Sequence, residues 1–264
     1  MPIIGILLCI VFVIWNPFHK ESEVVNNELK NETIDTPSIE LQNSIEYITV
    51  TETQNMKANS IIDDDTINPE EIKEFFYSTE ITDEIKECIY GISYQENSYI
   101  SLDNLRYLRI LHWGFDGETH IGEIIVNKSI TEDILEIMYE LYKSDYMIEK
   151  MVLIDEYGGD DEKSMQDNNS SGFNYRVVSG SSTLSKHSFG MAIDINPLYN
   201  PYVVKKSNGT VSISPKGSEA YVDRNGDFPY MLTKDDLCVK LFKEHGFTWG
   251  GVWNSVKDYQ HFEK

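Results

Sequence analysis

The clearest periodic signal in the chain is "SITEDILEIMYELYKSD", residues 129–145. Ile134, Leu135, Met138, Leu141 and Tyr142 recur there at helical spacing and mark one apolar face. Ser129, with Glu132 three residues on, forms a capping-box pair and predicts where this helix starts. A second helix is predicted in "TKDDLCVKLFKEHGF", capped by Thr233 and ended by Gly246. A third is predicted in "PEEIKEFFYSTEI", with Pro69 in its first turn. Strands are predicted in "EIIVN", "IEKMVLIDEY", "FNYRVV" and "GMAIDIN", while "LDNLRYLRILHWGF" supplies a short apolar segment. The stretch "GGDDEKSMQDNNSSG" reads as a polar loop, and the chain from Pro197 to Tyr230 as irregular. Helices that come first, followed by strands mixed with loops, imply an α+β domain with a small, mostly antiparallel sheet.

The pattern changes at the N-terminus. "IIGILLCIVFVIW" (residues 3–15) is unbroken apolar sequence, long enough for a signal-peptide core but short of the roughly 20 residues of a full span. No Lys or Arg precedes it, and no small-x-small cleavage site follows. Residues 1–18 therefore read as a signal peptide or a membrane anchor. Residues 19–68, rich in Glu, Asp, Asn and Thr without sustained period, read as an acidic disordered tether. The folded domain is expected over 69–264. This order suits an extracytoplasmic protein, secreted or anchored to the membrane, and we expect a monomer.

The formal net charge of -22 argues against nucleic acid as a partner, because phosphate would be repelled. The three cysteines contain no CxxC pair, which disfavours a cysteine zinc site. Cys88 and Cys238 either pair in an oxidising compartment or remain buried thiols; Cys9 lies in the apolar run.

Candidate chemistry centres on "SKHSFGMAIDINP". His187 and Asp194 bracket a segment of small and apolar residues, and a carboxylate buried in "AIDI" needs a partner. A divalent cation, an arginine or a set of backbone N–H groups would serve. The C-terminal "KDYQHFE" adds His261 as a third cation ligand and Asp258 as a carboxylate able to take a proton from water. Residues three apart on a straight strand face opposite ways, so the two converge only if the chain bends between them. Arg176, in "FNYRVV", either binds a substrate carboxylate or oxyanion, or makes a structural ion pair with Asp160, Asp161 or Asp194. His112 and His120 flank a turn without supporting acid–His spacing, and His245 suits a helix C-terminus. Trp249 and Trp253 read as wall and core, with Trp253 a candidate substrate contact.

Together, "FNYRVVSGSSTLSKHSFGMAIDINPLYNPYV" and "FTWGGVWNSVKDYQHFEK" resemble the D-alanyl-D-alanine carboxypeptidase-like zinc peptidases. These form the LAS group, which includes the vancomycin-resistance D-Ala-D-Ala peptidases and the L-alanyl-D-glutamate peptidases of phage endolysins. The shared pattern SxHxxGxAxD followed by (D/E)xxH is met by Ser185, His187, Gly190, Ala192 and Asp194, then Asp258 and His261. The resemblance implies a LAS/hedgehog-type fold and one zinc ion held by His187, Asp194 and His261. Asp258 would be the general base, Arg176 would stabilise the carbonyl or substrate carboxylate, and Ser185 would support the geometry. The implied activity is hydrolysis of amide bonds in peptidoglycan stem peptides, of D-Ala-D-Ala carboxypeptidase or L-Ala-D-Glu endopeptidase type. A non-catalytic zinc- or wall-peptide-binding module on the same fold is the alternative. Val252 departs from the family, where an aspartate often stands.

Overall fold

The structure is a computed structural model that describes residues 46–178, 182–206, 208–226 and 228–264. These fall in one compact unit, Ser44–Lys264. The apolar run at 3–15, Cys9 and the first part of the proposed tether lie outside the described residues. Among those described, no helix is long and apolar enough to cross a membrane.

The folded region begins well before Pro69. Thr49 caps a short helix α1 (Val50–Gln54) through a capping box with Glu52. The buried guanidinium of Arg109 then closes its C-terminal end, donating from Nη2 to the carbonyls of Thr53 (3.0 Å) and Met56 (2.8 Å). Strand β1 (Ile61–Ile62) follows, and Ile62 and Ile67 enter the main core. The tether assigned to 19–68 is thus corrected over 46–68: two apolar anchors and one buried cation dock an otherwise polar segment.

Instead of a helix from Pro69, a 3-10 turn at Ile72–Phe75 leads into strand β2 (Tyr77–Thr79), which pairs with Leu105–Trp113 across the sheet. Helix α2 (Asp83–Ile89) precedes the two long strands, β3 (Leu105–Trp113) and β4 (Thr119–Asn127). The first sheet runs β1-β4-β3-β2, antiparallel throughout. Both faces of β3 and β4 are covered. Leu108, Ile110, Ile124 and Val126 belong to the main core, which also takes in α3 (Thr131–Lys143). Leu105, Tyr107 and Ile125 meet Ile89, Tyr94 and Phe173 in a smaller cluster. Two-sided burial removes the apolar–polar alternation of a half-exposed strand, which is why β3 read only as a short apolar segment.

Helix α3 buries Ile134, Ile137, Met138, Leu141 and Tyr142, and packs on β3. Its cap differs from the sequence reading: Ile130 stands at the N-cap, and Ser129 instead donates its hydroxyl to Asn127 Oδ1 at 2.9 Å. Three further departures follow. Residues 148–153 form no strand beyond an isolated bridge between Lys150 and Asn169, although the Glu123 amide of β4 donates to the Met151 carbonyl, and they lead into a 3-10 turn at Ile154–Tyr157. The polar loop contains α4 (Asp161–Gln166), capped by Asp160, while "FNYRVV" forms no strand beyond an isolated bridge between Val177 and Leu184.

The remaining strands are β5 (Ala192–Asp194), β6 (Tyr202–Lys205), β7 (Val211–Ser214), β8 (Thr248–Trp249), β9 (Val256–Asp258) and β10 (His261–Glu263). They form two small antiparallel sheets, β5-β10-β8 and β7-β6-β9. The region 197–230 therefore holds a hairpin. Helix α5 (Leu237–Glu244) is capped by Asp236, not Thr233, and ends before Gly246 at φ +84°. The class is mixed helix and antiparallel sheet, with three sheets among the described residues where one was expected. Cys88 is exposed, Cys238 is buried, and both are free thiols.

One buried group in the first sheet ties stability to pH. His112 Nδ1 donates to the Ile148 carbonyl at 2.8 Å and its ring stacks on His120 at 5.5 Å. Its Nε2 is buried with no hydrogen-bond partner among the described residues. Burial drives its pKa down to about 4, against the pull of that carbonyl. The unfolded chain takes up this proton near pH 6.5, so stability is present above that pH and is lost as pH falls toward 4. Urea unfolding at pH 7 and pH 4 should show the wild type losing about 2 to 3 kcal/mol more than His112→Leu.

Candidate metal centre and active site

The site is assembled by strand pairing. In the β5–β10 ladder His261 lies directly opposite Asp194. His187 comes from a 3-10 turn, Lys186–Phe189, that packs beside them. Ser185 caps that turn, its Oγ accepting the His187 amide at 3.3 Å. The turn ends at Gly190, φ +65°, where a Cβ would stand 2.6 Å from the backbone nitrogen of Asn127. Only glycine permits that approach. Asn127 secures it, donating its amide to the Gly190 carbonyl (2.8 Å) and its Nδ2 to the Phe189 carbonyl (2.9 Å). Ala192 is fully buried in β5. Each small or polar position of SxHxxGxAxD thus has a local physical reason.

His187, Asp194 and His261 are 3%, 3% and 7% exposed. His187 Nε2 lies 3.2 Å from His261 Nδ1 and 3.2 Å from Asp194 Oδ2, and His261 Nδ1 lies 3.0 Å from Asp194 Oδ1. His187 Nδ1 donates to the Gly172 carbonyl at 2.6 Å, which leaves the Nε2 lone pair directed into the cluster. His261 Nε2 is held by Glu263 Oε2 at 3.2 Å, which turns Nδ1 inward.

The electrostatics favour positive charge at the centre. Burial alone would raise the Asp194 carboxyl, but charge interaction with His187 and hydrogen bonds from both imidazoles hold it well below the usual carboxylate range. Burial opposes an imidazolium at His261, yet hydrogen bonds to Asp194 and Glu263 push it up to about 10. Ligand atoms around a tetrahedral zinc ion, at bond lengths near 2.0–2.1 Å, lie about 3.3 Å apart. The two imidazole nitrogens are spaced close to that, and each has a different Asp194 oxygen at a similar distance, so the donor set fits a small divalent cation. Among the described residues it is the group of His, Cys, Asp and Glu side chains that converges in this way.

Asp258 ends β9, opposite Tyr202, and the chain bends at Tyr259–Gln260 before β10 begins. Its Oδ1 is buried with no hydrogen-bond partner among the described residues. Burial pushes its pKa up to about 7; His261 opposes the rise and Asp194 adds to it, so the carboxyl lies within electrostatic reach of the cluster.

Residues 179–264 match the family model for D-alanyl-D-alanine carboxypeptidase. This part of the chain is similar to that family. The match agrees with the resemblance read from the motifs, and it takes in the whole cluster and Asp258 but not Arg176. No curated protein and no solved structure matches the chain.

The other residues of the peptidase-like segment and its surroundings are placed as follows. The half-buried Trp253 ring lies 5.4 Å from the His261 ring. Trp249 is core, donating Nε1 to the Tyr259 carbonyl, and Val252 is exposed. Arg176 Nη2 donates to Asp161 Oδ2 at 2.7 Å, one of the ion pairs left open by the sequence. His120 pairs with Asp116 at 3.0 Å, but among the described residues His112 and His120 join no cluster of three potential metal ligands, and His245 pairs with Asp133. Sequence reasoning missed Glu263 and Gly172. An H-x-E pair on one strand face was available as a signal for Glu263; the Gly172 carbonyl has none.

Proposed function

We propose that the chain is a zinc metallopeptidase that hydrolyses amide bonds in peptidoglycan stem peptides. The observation that carries this reading is the buried convergence of two imidazoles and one carboxylate, with the buried Asp258 carboxyl, its Oδ1 free of a hydrogen-bond partner among the described residues, within electrostatic reach of them. His187 Nε2, Asp194 and His261 Nδ1 would hold the ion. When bound, zinc supplies Lewis acidity, which brings the ionisation of water close to neutral pH. Asp258 accepts the proton of the attacking water at Oδ1 and returns it to the leaving amine. Gly172 and Glu263 keep the two imidazoles in the tautomers that face inward. Arg176, through its buried Nε, donates to an oxygen of the substrate. Trp253 forms a wall of the site.

In this reading the fold is of LAS/hedgehog type, the protein acts as a monomer, and the site of action is extracytoplasmic, reached through the segment 1–18 as signal or anchor. The test is digestion of purified stem peptides by zinc-loaded protein, with and without chelator, followed by mass spectrometry of the fragments. Chelator-sensitive cleavage at one amide bond is expected. Bound zinc without cleavage would replace the enzyme by a non-catalytic binding module.

A further inference from the structure

The ion pair of Arg176 bears on which peptides the site accepts. The backbone of Arg176 is tied to the turn that carries His187. Its amide donates to Ser188 Oγ at 2.9 Å, and its carbonyl accepts from Ser188 Oγ at 2.6 Å and from the Ser185 amide at 3.0 Å. The guanidinium therefore starts from the same corner as a proposed zinc ligand. Its Nη2 is taken by Asp161 at 2.7 Å, and both side chains are about a quarter exposed, at 28% and 27%. Its Nε is buried and has no hydrogen-bond partner among the described residues.

Asp161 is held where it is. It is the first residue of α4, and both neighbours are engaged elsewhere. Asp160 pairs with Lys163 at 2.9 Å, and Glu162 accepts from Ser214 Oγ at 2.7 Å and from the Lys216 amide at 2.6 Å. The helix is thus pinned to the β6–β7 hairpin, whose strand β6 pairs with β9, the strand that carries Asp258. An arginine paired to one acid through one nitrogen has its charge compensated but still has an N–H to give. A neutral carbonyl oxygen can use that N–H. A carboxylate arriving at the same guanidinium faces the charge of Asp161.

We infer that Asp161 is a specificity determinant that neutralises Arg176, so that the site favours peptides continuing beyond the scissile bond over peptides ending there in a free carboxylate. This rests on the peptidase reading above and acts through Arg176, so Asp161 is a positioning residue.

The test starts from the cleaved bond mapped by mass spectrometry. A peptide ending one residue past that bond is made as the free acid and as the C-terminal amide, and kcat/KM is measured for both with the zinc-loaded full chain. The wild type should prefer the amide, and Asp161→Asn should shift the ratio toward the acid by roughly ten-fold or more, the scale of one nearby like charge. Asp161→Glu should restore the wild-type preference. The ratio is internal to each protein sample, so a loss of fold does not imitate the effect. A wild type that prefers the free acid, or a ratio that Asp161→Asn leaves in place, overturns the inference. If no peptide is cleaved, the peptidase reading fails by itself. A stem pentapeptide ending in D-Ala-D-Ala, as acid and as amide, is then compared by equilibrium binding. An amide preference reversed in Asp161→Asn supports the role of Asp161, and equal binding overturns it.

Discussion

Replacing Asp258 by Asn is expected to lower kcat for stem-peptide hydrolysis by about 100-fold or more while zinc stays bound at the wild-type level. The carboxyl is a poor candidate for a structural role. Its Oδ1 is buried without a hydrogen-bond partner among the described residues, an arrangement that costs stability unless something else uses the group. Burial raises its pKa to about 7, where a carboxylate is a stronger base than at its ordinary value. The sign of the pH dependence follows. The base works only when deprotonated, so activity rises with pH through its pKa. A bound cation favours the carboxylate, which places the acid limb of the kcat/KM profile at or below about 7. The Asn variant should lose that limb along with the rate. Full activity in Asp258→Asn would remove this residue from the chemistry, whatever the metal content.

Replacing His187 by Ala should abolish activity through loss of the ion. The change removes one of three donors and also the hydrogen bond to Gly172 that orients it. Loss of an outer hydrogen-bond partner alone typically weakens metal binding by about 10- to 100-fold, so loss of the ligand itself should exceed about 100-fold. Competition with a chromophoric chelator measures this directly. Thermal or urea unfolding gives a second readout without turnover. Zinc at about 100 times Kd should stabilise the wild type by about 2.7 kcal/mol, while His187→Ala at the same zinc concentration gains much less. If the variant binds zinc as tightly as the wild type, His187 is not a ligand and the centre lies elsewhere.

The elements that were legible were those with one exposed face. Helix α3 shows its stripe because solvent covers the other side. Its cap was misplaced because Asn127, at the end of β4, takes the Ser129 hydroxyl for itself. Strands β3 and β4 lack alternation because both faces are covered, and so only part of β4 was read as strand. Helix α1 carried a usable signal, the capping box Thr49–Glu52, within a segment whose composition argued for disorder. Besides its apolar anchors, Ile62 and Ile67, what docks that segment is Arg109, more than fifty residues away in sequence, and no local pattern announces it.

For the site, residue types and their order offered His187, Asp194, His261 and Asp258 as candidates among open alternatives, and it was the resemblance of the two motifs to the zinc peptidases that singled them out. By itself the sequence determined the chemical inventory: two imidazoles, two carboxylates and an arginine embedded in apolar and small residues. The tertiary structure alone decided which of these meet. The register of β10 on β5 sets His261 against Asp194, the bend after Asp258 returns the chain to the cluster, and α4 delivers Asp161 to Arg176. Each depends on pairings between distant segments, whose energy comes from burial and backbone hydrogen bonds that any compatible sequence could supply. Local residue patterns carry no record of which partner was chosen.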